Sequence, residues 1–201
     1  MSGIVGSYFN TRGSGVVAKL GADGQVFTST GAGLSQGFEA AAGGGKILQV
    51  QSYSTANHDS QAGTSSMVDI ASFLVTITPA TISSKILIMV SLGMICIDGA
   101  GASLLVERDI SGGATTLLGG TADSNRLSSS FRTARLDPYG NHNYGAAWNH
   151  LDSPSTTSAI TYQLQWACTG TVYINRSVGD SDEAVLGDRH LSGMMAIEVG
   201  A

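Results

Sequence analysis

The sequence predicts an all-β protein: an antiparallel β-sandwich, jelly-roll-like, that forms a knob behind an extended Gly-rich N-terminal segment. Three observations predict it. Charged residues make up only 12% of the 201 residues, so the Lys- and Glu-rich faces of solvent-facing helices are missing. Apolar residues recur with a period of two along most of the chain. Gly, Pro, Asn and Asp turn signals separate these runs at near-regular spacing, which is the pattern of a sandwich. About nine strands can be read this way, and no convincing helix.

Residues 1–45 hold 12 of the 27 glycines and few large apolar side chains. No face there is wide enough for a core, so the segment is expected to be extended or ordered by contact with other chains. Gly43-Gly44-Gly45 marks its end, and a knob domain spans 46–201. KILQVQSY, at 46–53, places Leu48 and Val50 on one parity. MVDIASFLVTI ends with Phe73, Val75 and Ile77 on one face and stops at Pro79. SKILIMVSLGMICID is apolar on both parities, which predicts a central strand covered on both faces. ASLLVERDI sets Leu104, Val106 and Ile110 against Glu107 and Asp109.

The stretch 120–150 is less regular, with a strong turn at Asp137-Pro-Tyr-Gly140 and a returning strand through Trp148. LDSPSTTSAITYQLQWAC then switches abruptly to strict alternation. Ile160, Tyr162, Leu164, Trp166 and Cys168 form its core parity; Thr161, Gln163 and Gln165 form an uncharged polar face suited to water or a neighbouring subunit. Thr169-Gly170 reads as a hairpin into TVYINRS, and SGMMAIEV closes the chain with Met195, Ile197 and Val199 pointing one way. Pro79 and Pro154 both precede Ser/Thr-rich corners that launch long strands.

The motifs of chemistry fail on their own requirements. Gly43-Gly44-Gly45-Lys46 is followed by Ile47 where a phosphate loop needs Ser or Thr, and no dinucleotide fingerprint or nucleophile elbow is complete. The four His make no ligand pair, so no metal or other cofactor is expected, and the chain is read as non-enzymatic. The acidic loop Gly179-Asp-Ser-Asp-Glu183 with Asp188 has oxygen ligands suited to Ca²⁺ but lacks EF-hand spacing. A net charge of −5 with scattered basic residues argues against nucleic-acid binding. The longest apolar run, Ile86–Val90, is too short to cross a bilayer, and the polar, Gly-rich residues after Met1 lead us to expect no secretory signal. Cys96 and Cys168 lie in apolar runs and read as buried free thiols.

Two stretches carry a resemblance. LGADGQVFTSTGAGLSQGF, residues 20–38, resembles a segment that recurs in stalks of bacteriophage tail fibres; Gly24, Gln25, Val26, Ser29, Gly31 and Gly33 match it, with Phe27 where Leu is commoner. ITPATISSKILIMVS and LDSPSTTSAITYQLQWACTGTVYINRS, with the closing SGMMAIEV, resemble the C-terminal domains of marine-type bacteriophage virion fibre proteins. The resemblance implies a homotrimer that resides in the virion after assembly in the host cytoplasm. It implies an N-terminal segment that attaches to other virion proteins, here through Tyr8, Phe9, Arg12, Val26, Phe27 and Phe38, and a knob that meets the host. A head fibre or capsid decoration protein is the alternative, and a polysaccharide depolymerase a further one. For a host glycan or protein, the irregular stretch offers Arg132, Arg135, Tyr139, His142, Tyr144 and Trp148, since Arg and aromatic side chains in loops suit sugars.

Overall fold

The computed structural model describes residues 25–28, 37–40, 46–98, 101–113, 115–133, 141–182, 187 and 189–200, in two units that divide after Lys46. In the first, β1 (Gln25–Thr28) and β2 (Gly37–Ala40) form a short antiparallel ladder that sets Phe27 opposite Phe38.

The second unit is two antiparallel sheets. Its strands are β3 (Ile47–Thr55), β4 (Asp59–Gln61), β5 (Thr64–Ile77), β6 (Lys85–Asp98), β7 (Ala102–Ile110), β8 (Thr116–Leu117), β9 (Phe131–Thr133), β10 (Asn141–Asp152), β11 (Ile160–Cys168), β12 (Val172–Ile174) and β13 (Ser192–Val199). One sheet runs β3-β13-β6-β10, with β12 and β4 continuing beside the far half of β6. The other runs β5-β11-β7, with β8 and β9 end to end along β7. Set aside the short β4, β8 and β12, and number the remaining eight strands in chain order. The sheets then read 1-8-3-6 and 2-7-4-5, which is the jelly-roll arrangement of two Greek keys.

The core lies between the sheets and is filled by alternation. From the first sheet come Ile86, Ile88, Val90, Leu92, Met194 and Ala196; from the second, Phe73, Val75, Leu104, Val106, Leu164 and the fully buried Tyr162 and Trp166. Tyr53 of β3 meets Phe73 of β5 edge to face, with ring centroids 5.6 Å apart. Cys168 is a free, buried thiol whose pKa is pushed up by that burial. The side chain of Cys96 lies outside the described residues.

Two local expectations are revised, and the reading of β13 as one-sided gains its direction. Thr169-Gly170 does not make a hairpin: β11 pairs with β5 and β7, whereas β12 pairs with β6 and β4, so the chain crosses there from one sheet to the other. On β13, the inward parity is Met194, Ala196 and Glu198, and Met195 and Ile197 face outward. On β6, only one face is covered over Lys85–Gly93, where the side chains are described. Its outward Met89 is 45% exposed and Leu87 half-buried.

The Pro79 corner is held by a buried acid. Glu198 accepts from the Ala80 N–H at 2.7 Å, from Gln49 Nε2 at 2.6 Å and from the Ser84 hydroxyl. Gln49 also donates to the Thr78 carbonyl. Burial alone would raise the pKa of Glu198, but these three donors outweigh it and hold the carboxyl below its ordinary value. The resulting stability is therefore present above about pH 4.5 and is lost as the pH falls through the lower folded-state value. Glu198→Gln should be less stable than the parent at neutral pH, and the gap should shrink below pH 4. Urea titrations across that range check it; a gap independent of pH would contradict it.

Candidate functional site

Three features of the knob bear on function, and each follows from strand alternation. The first is the open edge of the sandwich where β10 faces β8 and β9. Tyr144, Ala146, Trp148, His150 and Asp152 share the inward parity of β10. The Trp148 ring lies between Phe131 of β9, with centroids 6.4 Å apart, and His150, at 5.6 Å, both close to parallel. Beside this ladder, the Leu118–Gly120 turn leaves a cleft of about 310 Å³. Ser130 shapes it by accepting from the Val106 N–H and donating to the Leu118 carbonyl.

Below the ladder is a buried ion pair. Arg108 Nη1 donates to both oxygens of Asp152, at 2.7 and 2.9 Å. The Tyr162 hydroxyl donates to Asp152 Oδ2 at 2.8 Å, the Ser153 N–H to Oδ1 at 2.9 Å, and Arg108 Nη2 to Thr116 at 3.1 Å. Burial, then the Asp152 charge, push the Tyr162 phenol far above its ordinary pKa, so it remains a donor. The cluster joins β10 of one sheet to β7, β8 and β11 of the other. Sequence reasoning missed it, although Arg108 shares the parity of Val106 and Ile110. A charge on a core parity demands a buried partner.

The second feature is a recess of about 500 Å³ on the outer side of the β5-β11-β7 sheet. Its floor is low because Ala167 and Ser103, opposite each other in register, are both small. Arg132, the next residue in that row, forms one wall. Its guanidinium lies against Gly101, where a methyl group would come within 3.0 Å of Nη2. Thr64 and Ser65 line the opposite wall, and the turn Asp123–Arg126 overhangs.

The third feature is the outer face of the β3-β13-β6-β10 sheet. Val50, Ile197, Leu87 and Leu151 form one row across all four strands; Ser52, Met195, Met89 and Asn149 form the next; Ser54, Gly193, Ser91 and Ala147 form a third. Val50 and Leu151 are 48% and 49% exposed. Among the described residues of these rows there is no charge, and Lys85 stands at their end. The outer face of the other sheet is the opposite. It carries Asp69, Glu107 and Asp109, and Gln165 donates to both Asp69 and Glu107. Gln163 donates to the Ile70, Phe73 and Leu164 carbonyls, and Thr161 pairs with Thr76. The polar face of β11 is thus bonded within its own sheet.

The candidate ligand residues divide among these places. Phe131 and Arg132 are neighbours on β9 and so face opposite ways. Trp148 and Tyr144 belong to the inward parity of β10, and Arg132 to the outer recess. His142 lies on β10 opposite Ile97. Arg135, Tyr139, Tyr8, Phe9 and Arg12 lie outside the described residues, whereas Val26, Phe27 and Phe38 lie on the β1–β2 ladder.

In the acidic loop, Asp180 is held by Arg176 at 2.7 Å and by Arg189. The Arg176 hydrogen bond, followed by the Arg189 contacts, lowers its pKa against the effect of burial. That carboxylate is already neutralised by two cations, and Glu183 and Asp188 lie outside the described residues. Asn175 is fully buried; its amide donates to the Thr55 and Asn57 carbonyls and accepts from Ser192.

No protein-family model and no curated protein sequence matches the chain. Solved structures that it is similar to include the infectious bursal disease virus Gt strain, at 10% identity over 87% of this chain and 45% of that one, with a TM-score of 0.35. They also include the T=1 particles derived from the same virus, at 11% identity over 86% and 42%, with a TM-score of 0.34. The chain spans less than half the length of these structures.

Proposed function

We propose that the chain is a virion structural protein: a homotrimeric bacteriophage fibre of the tail, attached through residues 1–45 and adsorbing to the host surface through its jelly-roll knob without chemistry. The observation that carries this reading is the uncharged, apolar outer face of the β3-β13-β6-β10 sheet. SKILIMVSLGMICID has the composition of a strand buried on both sides, yet a single chain buries only one. Neighbouring strands lie about 4.8 Å apart and alternate residues about 6.8 Å, so the three rows cover roughly 400 Å² of flat face. Val50, Ile197, Leu87, Leu151, Met195 and Met89 fill about half of it, and a contiguous apolar patch of that kind is often functional.

A second copy suits this face better than a charged partner. Each chain carries −5, so copies repel except where they meet through neutral surface. The acidic outer face of the other sheet then remains in solvent. The resemblance of residues 20–38 to fibre stalks supports the attachment role, and the same segment on a capsid socket would make a head fibre. Antibody against the knob should label the tail in electron micrographs of intact particles. Label over the capsid lattice would replace the tail reading with the head fibre, and particles without label would overturn both.

A further inference from the structure

We propose that the recess beside Arg132 binds a carboxylate-bearing saccharide, with the guanidinium holding the carboxylate and the surrounding hydroxyls meeting the sugar. The proposal rests on the reading of the knob as a surface-adsorbing module and names the ligand of that surface. Four observations carry it.

Arg108, Arg126, Arg176 and Arg189 each pair with an aspartate. Arg132 has no acidic partner among the described residues, and it is exposed on the wall of a recess of about 500 Å³. A planar guanidinium in that position matches a carboxylate through two parallel hydrogen bonds. Beside Arg126, whose charge Asp123 offsets, the wall is rich in hydroxyls: Thr64, Ser65, Ser103, Ser129 and Thr169, with the Asn125 amide. These groups both donate and accept, as sugar hydroxyls do. One guanidinium without an acidic partner among the described residues, on the wall of a recess in a chain of net charge −5, selects a single carboxylate over a polyanion.

The overhanging turn gives the site a second lobe. Asn125–Leu127 separates the recess from a neighbouring hollow of about 460 Å³ that contains Met67, Leu105, Leu117 and Leu127. An apolar substituent on the sugar, such as an acetamido methyl, fits there while the carboxylate stays with Arg132. Ser124, in the same turn, has φ of 54°, a left-handed conformation that a residue with a Cβ adopts at a cost. Hydrogen bonds in both directions between Asp123 and Arg126, and their ion pair at 2.7 Å, hold it there.

Calorimetric titration of the full chain tests the proposal with two probes: a hyaluronate tetrasaccharide, which has carboxylates and acetamido groups, and the same tetrasaccharide after carboxyl reduction. The acidic probe should bind, and the reduced one should bind at least about tenfold more weakly. Arg132→Ala should lose at least about tenfold for the acidic probe alone, and Arg132→Lys should recover part of that. Ser65→Trp, on an exposed wall position, should block both probes without changing charge. Raising NaCl to 0.5 M should weaken the acidic probe only. Equal affinity for both probes, indifference to Arg132→Ala, or no binding by either probe would overturn the site. If the protein still assembles while neither probe binds, only this inference fails. Binding by a chain that stays monomeric would sustain the site and remove the trimer.

Discussion

Asp152→Ala is expected to lower the stability of the knob by about 3–5 kcal/mol, among the largest effects of any single substitution. The carboxylate is buried and accepts four hydrogen bonds, two of them from Arg108. Removing it strands a guanidinium that is itself only 15% exposed, together with the phenol of Tyr162. The penalty is the desolvation of groups left without partners, which exceeds the net worth of the bonds themselves. Tyr162→Phe removes one donor and leaves the ion pair, so it should cost about 1.5 kcal/mol. Urea denaturation at neutral pH measures both, with the midpoint moving and the slope unchanged. If Asp152→Ala falls within about 1 kcal/mol of the parent, the clasp does not hold the sheets.

The second large effect concerns assembly. Val50→Glu together with Leu151→Glu should leave the isolated knob folded, because both positions are half exposed in one chain and point away from its core. In the assembly those carboxylates would be buried against apolar rows that have no cation to pair with them. Each unpaired buried charge costs several kcal/mol, so association should weaken by more than about a thousandfold. Matched changes on the outer face of the other sheet, such as Thr161→Glu, should leave assembly intact. Sedimentation velocity distinguishes the two sets.

The strand pattern was legible because the side-chain period of two is local. Ile160 through Cys168 read as core from alternation alone, and all five are buried. Pairing was less legible, because partners are chosen across the whole chain. Thr169-Gly170 has hairpin chemistry, yet β12 finds its partners in the other sheet. The central position of β6 was readable from two apolar parities; the exposure of its second face was not, since an apolar run does not say which of its faces the fold covers. The polar cores at Arg108–Asp152 and at Glu198 left a weaker signal. A single charged residue on an inward parity marks each, and its partner is many residues away. The ligand surface was legible by residue type and not by place, because Arg132 and Trp148 point to opposite sides of the sandwich edge.

The most direct test of the account is the mass of the purified chain by light scattering, alone and with Val50→Glu/Leu151→Glu. The parent should show about three times the 20.6 kDa monomer mass, and the doubly charged variant should be a folded monomer. A monodisperse monomer for the parent at micromolar concentration, or a trimer untouched by the two charges, would contradict it.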